Sequence, residues 1–224
     1  MRRSLCLAAL CVLLFSPLVQ ASSSVDYNLL IHGQPVINEY TVGTGANTSY
    51  LVIDFANSGG AGPLNSYLFE YKWDNVITTG QMIAAISNFV TDPLNVDSDT
   101  FDFGFGPVTF INDFAYLTET SDGRANTFWL YSTGVLGADL QNPLQQTVTW
   151  TGSFSGVDDI NISANSFTGF TYLDYDPQTF EGINPQDPRV PTLSALPEPS
   201  AVLLLAGAPL WLLNRRKTRR ARSL

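Results

Sequence analysis

The sequence Tyr67-Leu-Phe-Glu-Tyr-Lys-Trp73 has the clearest period of two in the chain. In an extended strand its four aromatic residues fall on one face, and Leu68, Glu70 and Lys72 fall on the other. The aromatic residues are Tyr67, Phe69, Tyr71 and Trp73. Such a row serves either as a platform for stacking sugars or as part of a hydrophobic core. Because aromatic residues supply large buried areas in strands, we predict that it is core.

Alternating segments separated by turn residues continue on both sides of this strand, and together they predict about ten strands. One helical segment interrupts these strands, because apolar residues recur at helical spacing from Met82 to Val90. Thr78 or Thr79 can cap the first turn of this helix, and Asp92-Pro93 ends it. The predicted strands are 25–31, 36–42, 50–55, 67–73, 101–105, 108–116, 127–133, 147–154, 160–162 and 167–172. The sequence therefore predicts a mainly β domain, β-sandwich or jelly-roll-like, with one short helix.

The middle of the chain also resembles the β-grasp domain at the C-terminus of transcobalamin-type proteins. The resemblance consists of an ordered set of features: Trp73, a helix over 80–89, Phe103-Gly-Phe-Gly106 with Ile111 after it, Phe128-Trp129-x-Tyr131, and a strand over 148–150. It implies an alternative α+β fold with a β-grasp-like unit inside the larger β scheme. We do not extend this resemblance to a prediction of cobalamin binding.

Acidic side chains dominate the chain between its two ends. All twenty Asp and Glu residues lie between Asp26 and Glu198, where the only basic residues are Lys72, Arg124 and Arg189, so this part carries a net charge of minus 17. The whole-chain value is −9 because the other eight basic residues lie in the terminal segments. Phosphate backbones and anionic lipid surfaces would repel such a domain, which argues against nucleic-acid binding.

The N-terminus has the pattern of a secretory signal peptide. Arg2 and Arg3 precede an apolar run over 5–15, and Val19-Gln-Ala21 is a site of the small-x-small type, so we predict cleavage by signal peptidase after Ala21. Both cysteines of the chain lie inside the apolar run. The exported part therefore lacks any disulfide, thiol nucleophile or cysteine metal ligand.

The C-terminus has three consecutive parts: the tripeptide Pro197-Glu198-Pro199, an uncharged apolar run over 200–213, and a basic tail. The basic residues of the tail are Arg215, Arg216, Lys217, Arg219, Arg220 and Arg222. As a helix the run would be about 21 Å long, shorter than the hydrocarbon core of a bilayer, but flanking arginines can snorkel and extend its reach. We predict a transmembrane helix over 200–213, a cytoplasmic basic tail and an extracytoplasmic domain before it.

This succession resembles the PEP-CTERM sorting signal of Gram-negative bacteria, and the resemblance covers about the last thirty residues. It implies that the span holds a precursor in the inner membrane, that an exosortase-type membrane protease processes it near the tripeptide, and that the product reaches the cell surface or the extracellular space. It also implies an association with exopolysaccharide. The boundaries that follow are a signal peptide over 1–21, an extracytoplasmic mainly β domain over 22–176, a Pro-rich linker over 177–196 and the sorting signal over 197–224.

Sequence motifs for catalysis are sparse. His32 is the only histidine, and we predict that it is a strand-end or turn residue rather than a base. The segment 152–156 has glycines at both ends but Phe154 at its centre, so it is not a nucleophile elbow. The many carboxylates leave a glycosidase-like pair open as an alternative. We therefore expect no catalytic residues and no cofactor.

The acidic residues make calcium a possible ligand of the domain. Asp97, Asp99 and Asp102 are the candidate ligands, although their spacing does not match an EF-hand loop. Solvated turns explain the same residues equally well. The sequence thus predicts an exported cell-surface or matrix protein with a non-enzymatic, structural or exopolysaccharide-associated role; a carbohydrate-binding module and a secreted glycoside hydrolase are the alternatives.

Overall fold

The computed structural model describes residues 23–55, 65–89, 93–102, 104, 106–121, 126–140, 142, 145–179, 181–183 and 185–193. It confirms a mainly β protein with one short helix. The strands are β1 Ser24–Ile31, β2 Gln34–Asn38, β3 Thr41–Gly43, β4 Asn47–Asp54, β5 Ser66–Trp73, β6 Asn95–Asp102, β7 Pro107–Tyr116, β8 Glu119–Thr120, β9 Thr127–Ala138, β10 Gln146–Gly152 and β11 Ser166–Asp174, and the helix α1 is Thr79–Ser87.

A six-stranded sheet in the order β10-β9-β11-β4-β5-β3 forms the central layer. It is mixed, because β11 pairs with β4 and β3 pairs with β5 in parallel, whereas the other neighbours are antiparallel. Its middle strands are covered on both faces. Six consecutive residues of β4, from Ser49 to Asp54, are all buried, which explains why the apolar residues from Tyr50 to Ile53 are continuous and do not alternate with polar ones.

The larger core lies on one face of this sheet. Met82, Ile83 and Ile86 of α1 pack there, together with Phe114 and Tyr116 of β7. The row predicted from the sequence also faces this core: Phe69 and Trp73 are buried, and Tyr67 and Tyr71 pack partly buried against it. Each fully buried side chain of this kind contributes about 1.5–3 kcal/mol. The prediction that the row is core is confirmed.

A hairpin of β1 and β2 covers the opposite face of the sheet. Leu29, Ile31 and Val36 pack there against a second core cluster that includes Val52 and Phe167. The two residues that connect the strands, His32 and Gly33, both have positive φ, 50° and 74°. Positive φ at both central residues is what the type I′ turn of a two-residue hairpin requires, and the predicted turn position of His32 is confirmed.

Strands β6, β7 and β8 form a separate three-stranded sheet. Nearly all residues of β6 are exposed, whereas the end of β7 enters the larger core. The helix begins with a capping box, in which the Thr78 hydroxyl accepts from the amide of Gln81 and the Gln81 side chain accepts from the amide of Thr78. The predicted cap at Thr78 is therefore confirmed.

Three strand predictions differ from the structure. The predicted strand over 36–42 is two strands, because the chain leaves β1 at Asn38 and turns through Tyr40 to join the larger sheet beside β5. The strand predicted over 101–105 overlaps β6 only at Phe101 and Asp102, because β6 runs from Asn95 to Asp102. Nearly all residues of β6 are exposed, so its earlier part has no apolar alternation that would predict a strand. Residues 160–162 form no strand, and only Asn161 makes an isolated bridge, to Thr78.

The Pro-rich linker predicted over 177–196 is wrong for residues 185–193. This segment lies along the domain: the amide of Ile37 donates to the carbonyl of Pro191, Val36 forms a bridge with Thr192, and Val190 packs on the second core cluster. Prolines suit such a path because a segment that runs beside a sheet edge need not donate every amide.

The predicted signal peptide over 1–21, its cleavage site and the sorting signal over 197–224 lie outside the described residues. The same holds for Phe103, Phe105 and Arg124. In the part of the chain that the structure describes, no helix has the length and apolar character needed to cross a membrane.

Candidate functional site

A cleft of about 420 Å³ opens beside the second core cluster. Three parts of the chain form its walls: the β1–β2 turn, strand β10 at the edge of the central sheet, and residues 187–192. Its volume falls within the range of pockets that hold small organic ligands, about 300–1,000 Å³. The polar, charged and aromatic residues that line it include His32, Gln34, Thr147, Trp150, Asp187 and Arg189.

Trp150 occupies the floor of the cleft because two glycines leave room for it. Gly134 lies beside Trp150 on β9, and Gly169 lies on the next strand, β11. A Cβ atom on Gly134 would lie 2.8 Å from two ring carbons of Trp150, and one on Gly169 would lie 2.7 Å from a ring carbon. The Cε3 and Cζ3 edge of the indole therefore lies close to the backbone of two neighbouring strands, and Trp150 is one of the residues that line the cleft.

Arg189 borders the cleft and is held by a buried carboxylate. Its Nε donates to Oδ2 of Asp54 at 2.9 Å, its Nη2 donates to Oδ1 at 2.7 Å, and its backbone amide also donates to Oδ2 at 2.9 Å. The Asp54 side chain is only 1% exposed, whereas that of Arg189 is 43% exposed. The hydrogen bonds to Asp54 raise the pKa of Arg189 above its ordinary value, so its charge is permanent.

His32 lies at the rim between two polar partners. Its Nδ1 is 3.2 Å from Oδ2 of Asp139, and its Nε2 is 3.4 Å from the hydroxyl of Thr147. The order carboxylate, imidazole, hydroxyl is that of a catalytic triad, but the contact to the hydroxyl is long and the His32 side chain is 59% exposed. The arrangement orients the imidazole at the rim, and the amide of His32 fixes the turn by donating to the carbonyl of Gln146.

Tyr50 belongs to the apolar cluster under the cleft. It stacks on Phe167 with ring centroids 4.7 Å apart. Burial, followed by the negative charges of Glu70 and Asp26, raises the pKa of Tyr50 to about 12. The phenol is therefore neutral at physiological pH.

A second, smaller pocket of about 210 Å³ lies on the side of the larger core. Trp129, Tyr131 and Phe170 form part of its wall, and Phe154, 93% exposed, lies at its entrance. This pocket is mostly apolar. Phe154 is the central residue of the glycine-flanked segment 152–156, which lacks the serine of a nucleophile elbow at that position.

The candidate calcium ligands lie on β6. Asp99 accepts a hydrogen bond from Asn112, Asp102 accepts one from the amide of Gly104, and Asp97 is paired in register with Asp113. Among the described residues, no three His, Cys, Asp or Glu side chains are grouped so that they could hold a metal ion. The structure thus places the three aspartates along an extended strand and not around a common point.

The cleft could not be predicted from the sequence. Its walls come from residues 31–34, 147–150 and 187–192, and only the fold brings these segments together. Two local signals pointed toward it. Gly134 and Gly169 interrupt strands, which indicates a close approach by another group, and Arg189 is one of very few cations in a highly acidic region.

The chain matches no protein-family model, and no curated protein or solved structure matches it.

Proposed function

We propose that this chain is an exported protein of the cell surface or extracellular matrix, sorted through its C-terminal segment and non-enzymatic in its role. The observation that carries the proposal is the succession of Pro197-Glu198-Pro199, the uncharged run over 200–213 and the basic tail. The signal-peptide pattern over 1–21 is consistent with it, since each terminus then serves one step of export.

The character of the region between the termini supports the same role. It carries a net charge of minus 17 and lacks cysteine, so it needs no disulfide to form outside the cell and resists association with anionic polymers such as nucleic acids. A mainly β domain with two hydrophobic clusters supplies a stable body for such a surface protein.

The proposal is tested by the location and the termini of the native protein. The protein is fractionated from cells with and without the exosortase-type membrane protease, and mass spectrometry identifies its ends. We expect a mature chain that begins at Ser22, ends near Pro197 to Pro199, and reaches the surface only when the protease is present.

A matched pair of variants distinguishes a specific role of the tripeptide in sorting from a general effect of losing prolines. The triple variant P197A/E198A/P199A should accumulate in the inner membrane with its arginine tail attached. The control P177A/E181A/P185A changes the same residue types outside the tripeptide and should be sorted normally. Surface delivery of the first variant would show that the tripeptide is not needed for sorting, and retention of both variants would show that the effect is not specific to the tripeptide.

A further inference from the structure

We propose that the cleft between the β1–β2 turn, strand β10 and residues 187–192 binds a neutral saccharide. In this assignment a sugar ring stacks on the indole of Trp150, and polar side chains at the rim bind its hydroxyl groups. The inference deepens the proposed function and rests on it for the biological source of the saccharide, since a matrix protein meets extracellular glycans.

Trp150 supplies an aromatic surface to the cleft. Trp150 extends over Gly134 and Gly169, and any larger residue at either glycine would displace the ring. Pro188 also lies above Gly169, so the ring and the proline together form an apolar floor. Sugar rings have an apolar face of axial C–H groups, and the face of an aromatic side chain that lines a cleft is a matching flat surface.

The rim supplies both donors and acceptors of hydrogen bonds. Gln34 has an amide with both functions, Thr147 has a hydroxyl, and Asp187 has an acceptor carboxylate. The imidazole of His32, oriented by Asp139, adds a further polar group. A mixture of this kind suits hydroxyl groups, which donate and accept at once, better than it suits a purely apolar ligand.

The charges of the cleft favour a neutral ligand over an acidic one. Arg189 is the strong cation at its border, but its guanidinium is already paired with Asp54 through two hydrogen bonds. Asp187 adds a negative charge, and the surrounding region carries a net charge of minus 17. A uronic acid or sulfated sugar would therefore meet repulsion at long range and little compensation inside.

The walls of the cleft are fixed before any ligand binds. The wall formed by residues 187–192 is held by the Arg189 pair, by the bridge of Thr192 with Val36 and by the bond from Ile37 to Pro191. The opposite wall is held by the bond from the amide of His32 to Gln146. Such preorganisation lowers the entropic cost of binding.

The test is isothermal titration calorimetry of the full chain in a detergent without sugar groups. The probes are four neutral hexasaccharides, cellohexaose, laminarihexaose, maltohexaose and chitohexaose, and the acidic hexagalacturonate. We expect at least one neutral probe to bind with a Kd of about 1 mM or tighter. Hexagalacturonate should bind at least about tenfold more weakly, because of the charges described above.

The variant W150L keeps an apolar side chain on the second core cluster but removes the ring, and it should weaken binding about tenfold, equivalent to about 1.4 kcal/mol. Its matched control is F154L, which removes an exposed ring outside the cleft and should bind as the wild type does. If W150L does not fold, T147V and D187N serve instead, because both change only rim groups; each should weaken binding by about threefold.

Three results would overturn the inference: no heat from any neutral probe up to about 10 mM, preferential binding of hexagalacturonate, or equal affinities for the wild type and the cleft variants. These outcomes are read from purified protein, whereas the proposed function is read from cellular location and chain termini. Failure of one is therefore distinguishable from failure of the other.

Discussion

Arg189 forms a two-pronged ion pair with Asp54, a carboxylate that is almost fully buried at the end of β4. The two residues are 135 positions apart in the chain. Ser66 adds a third link, since its hydroxyl donates to the backbone carbonyl of Arg189. The pair therefore fastens the C-terminal segment of the domain to an interior strand of the central sheet.

Replacement of Arg189 by alanine should destabilise the protein by about 3 kcal/mol, since it leaves the Asp54 carboxylate buried and, among the described residues, with only the backbone amide of residue 189 as its hydrogen-bond donor. This figure is at the lower end for a broken buried pair because Arg189 is partly solvated. Adding D54N to R189A should recover part of the loss, as the buried charge is then gone. Urea unfolding of both variants and the wild type measures the effect; additive losses would contradict it.

The domain should require residues 185–193 for full stability. A chain over 22–176 ends at the boundary predicted from the sequence and lacks the partner of Asp54, whereas a chain over 22–193 keeps it. We expect the shorter chain to be less stable by at least about 3 kcal/mol or to fail to fold. Equal urea midpoints for the two chains would show that the segment is dispensable.

The side chain of Thr171 is fully buried, and its hydroxyl has no hydrogen-bond partner among the described residues. Thr79 is equally buried, but its hydroxyl lies 3.0 Å from that of Tyr131. Thr171→Val should therefore stabilise the protein by about 1 kcal/mol, and Thr79→Val should destabilise it by about 1–2 kcal/mol. Thermal unfolding of the two variants checks the prediction; shifts of the same sign would refute it.

The carboxyl group of Glu39 should make the free energy of unfolding depend on pH. Burial raises the pKa of its carboxyl above the ordinary 4.5, although the hydrogen bond from Tyr116 opposes the shift. A raised pKa means that folding favours the protonated form, so its stabilising contribution is complete below pH 4.5 and is lost as the pH rises through the folded-state pKa.

The variant E39Q should therefore be more stable than the wild type at neutral pH and should lose this advantage well below pH 4.5, where Glu39 is protonated anyway. Glutamine keeps an oxygen that can accept from Tyr116. Urea unfolding at the two pH values measures the difference. A gain that is the same at both would show that the charge of Glu39 is not its cause.

Much of the local structure could be predicted from the sequence. The alternation in 67–73 marked β5 and its buried face, and the spacing from Met82 to Ile86 with Thr78 before it marked α1 and its cap. These patterns are reliable because they arise from burial of one face over consecutive residues. The beginning of strand β6 was not predicted, because almost none of its residues is buried and its sequence therefore has no apolar period.

Composition and local patterning are enough to predict the mainly β character of the domain, its short capped helix and its strong negative charge. Three other features follow from the fold alone: the burial of the central sheet on both faces, the pair of Arg189 with Asp54, and the cleft that His32, Thr147 and Trp150 share with residues 187–192. The two groups differ in the distance along the chain over which the interactions act. Propensity and periodicity act between residues a few positions apart, whereas these contacts depend on which distant strands pair and in what order.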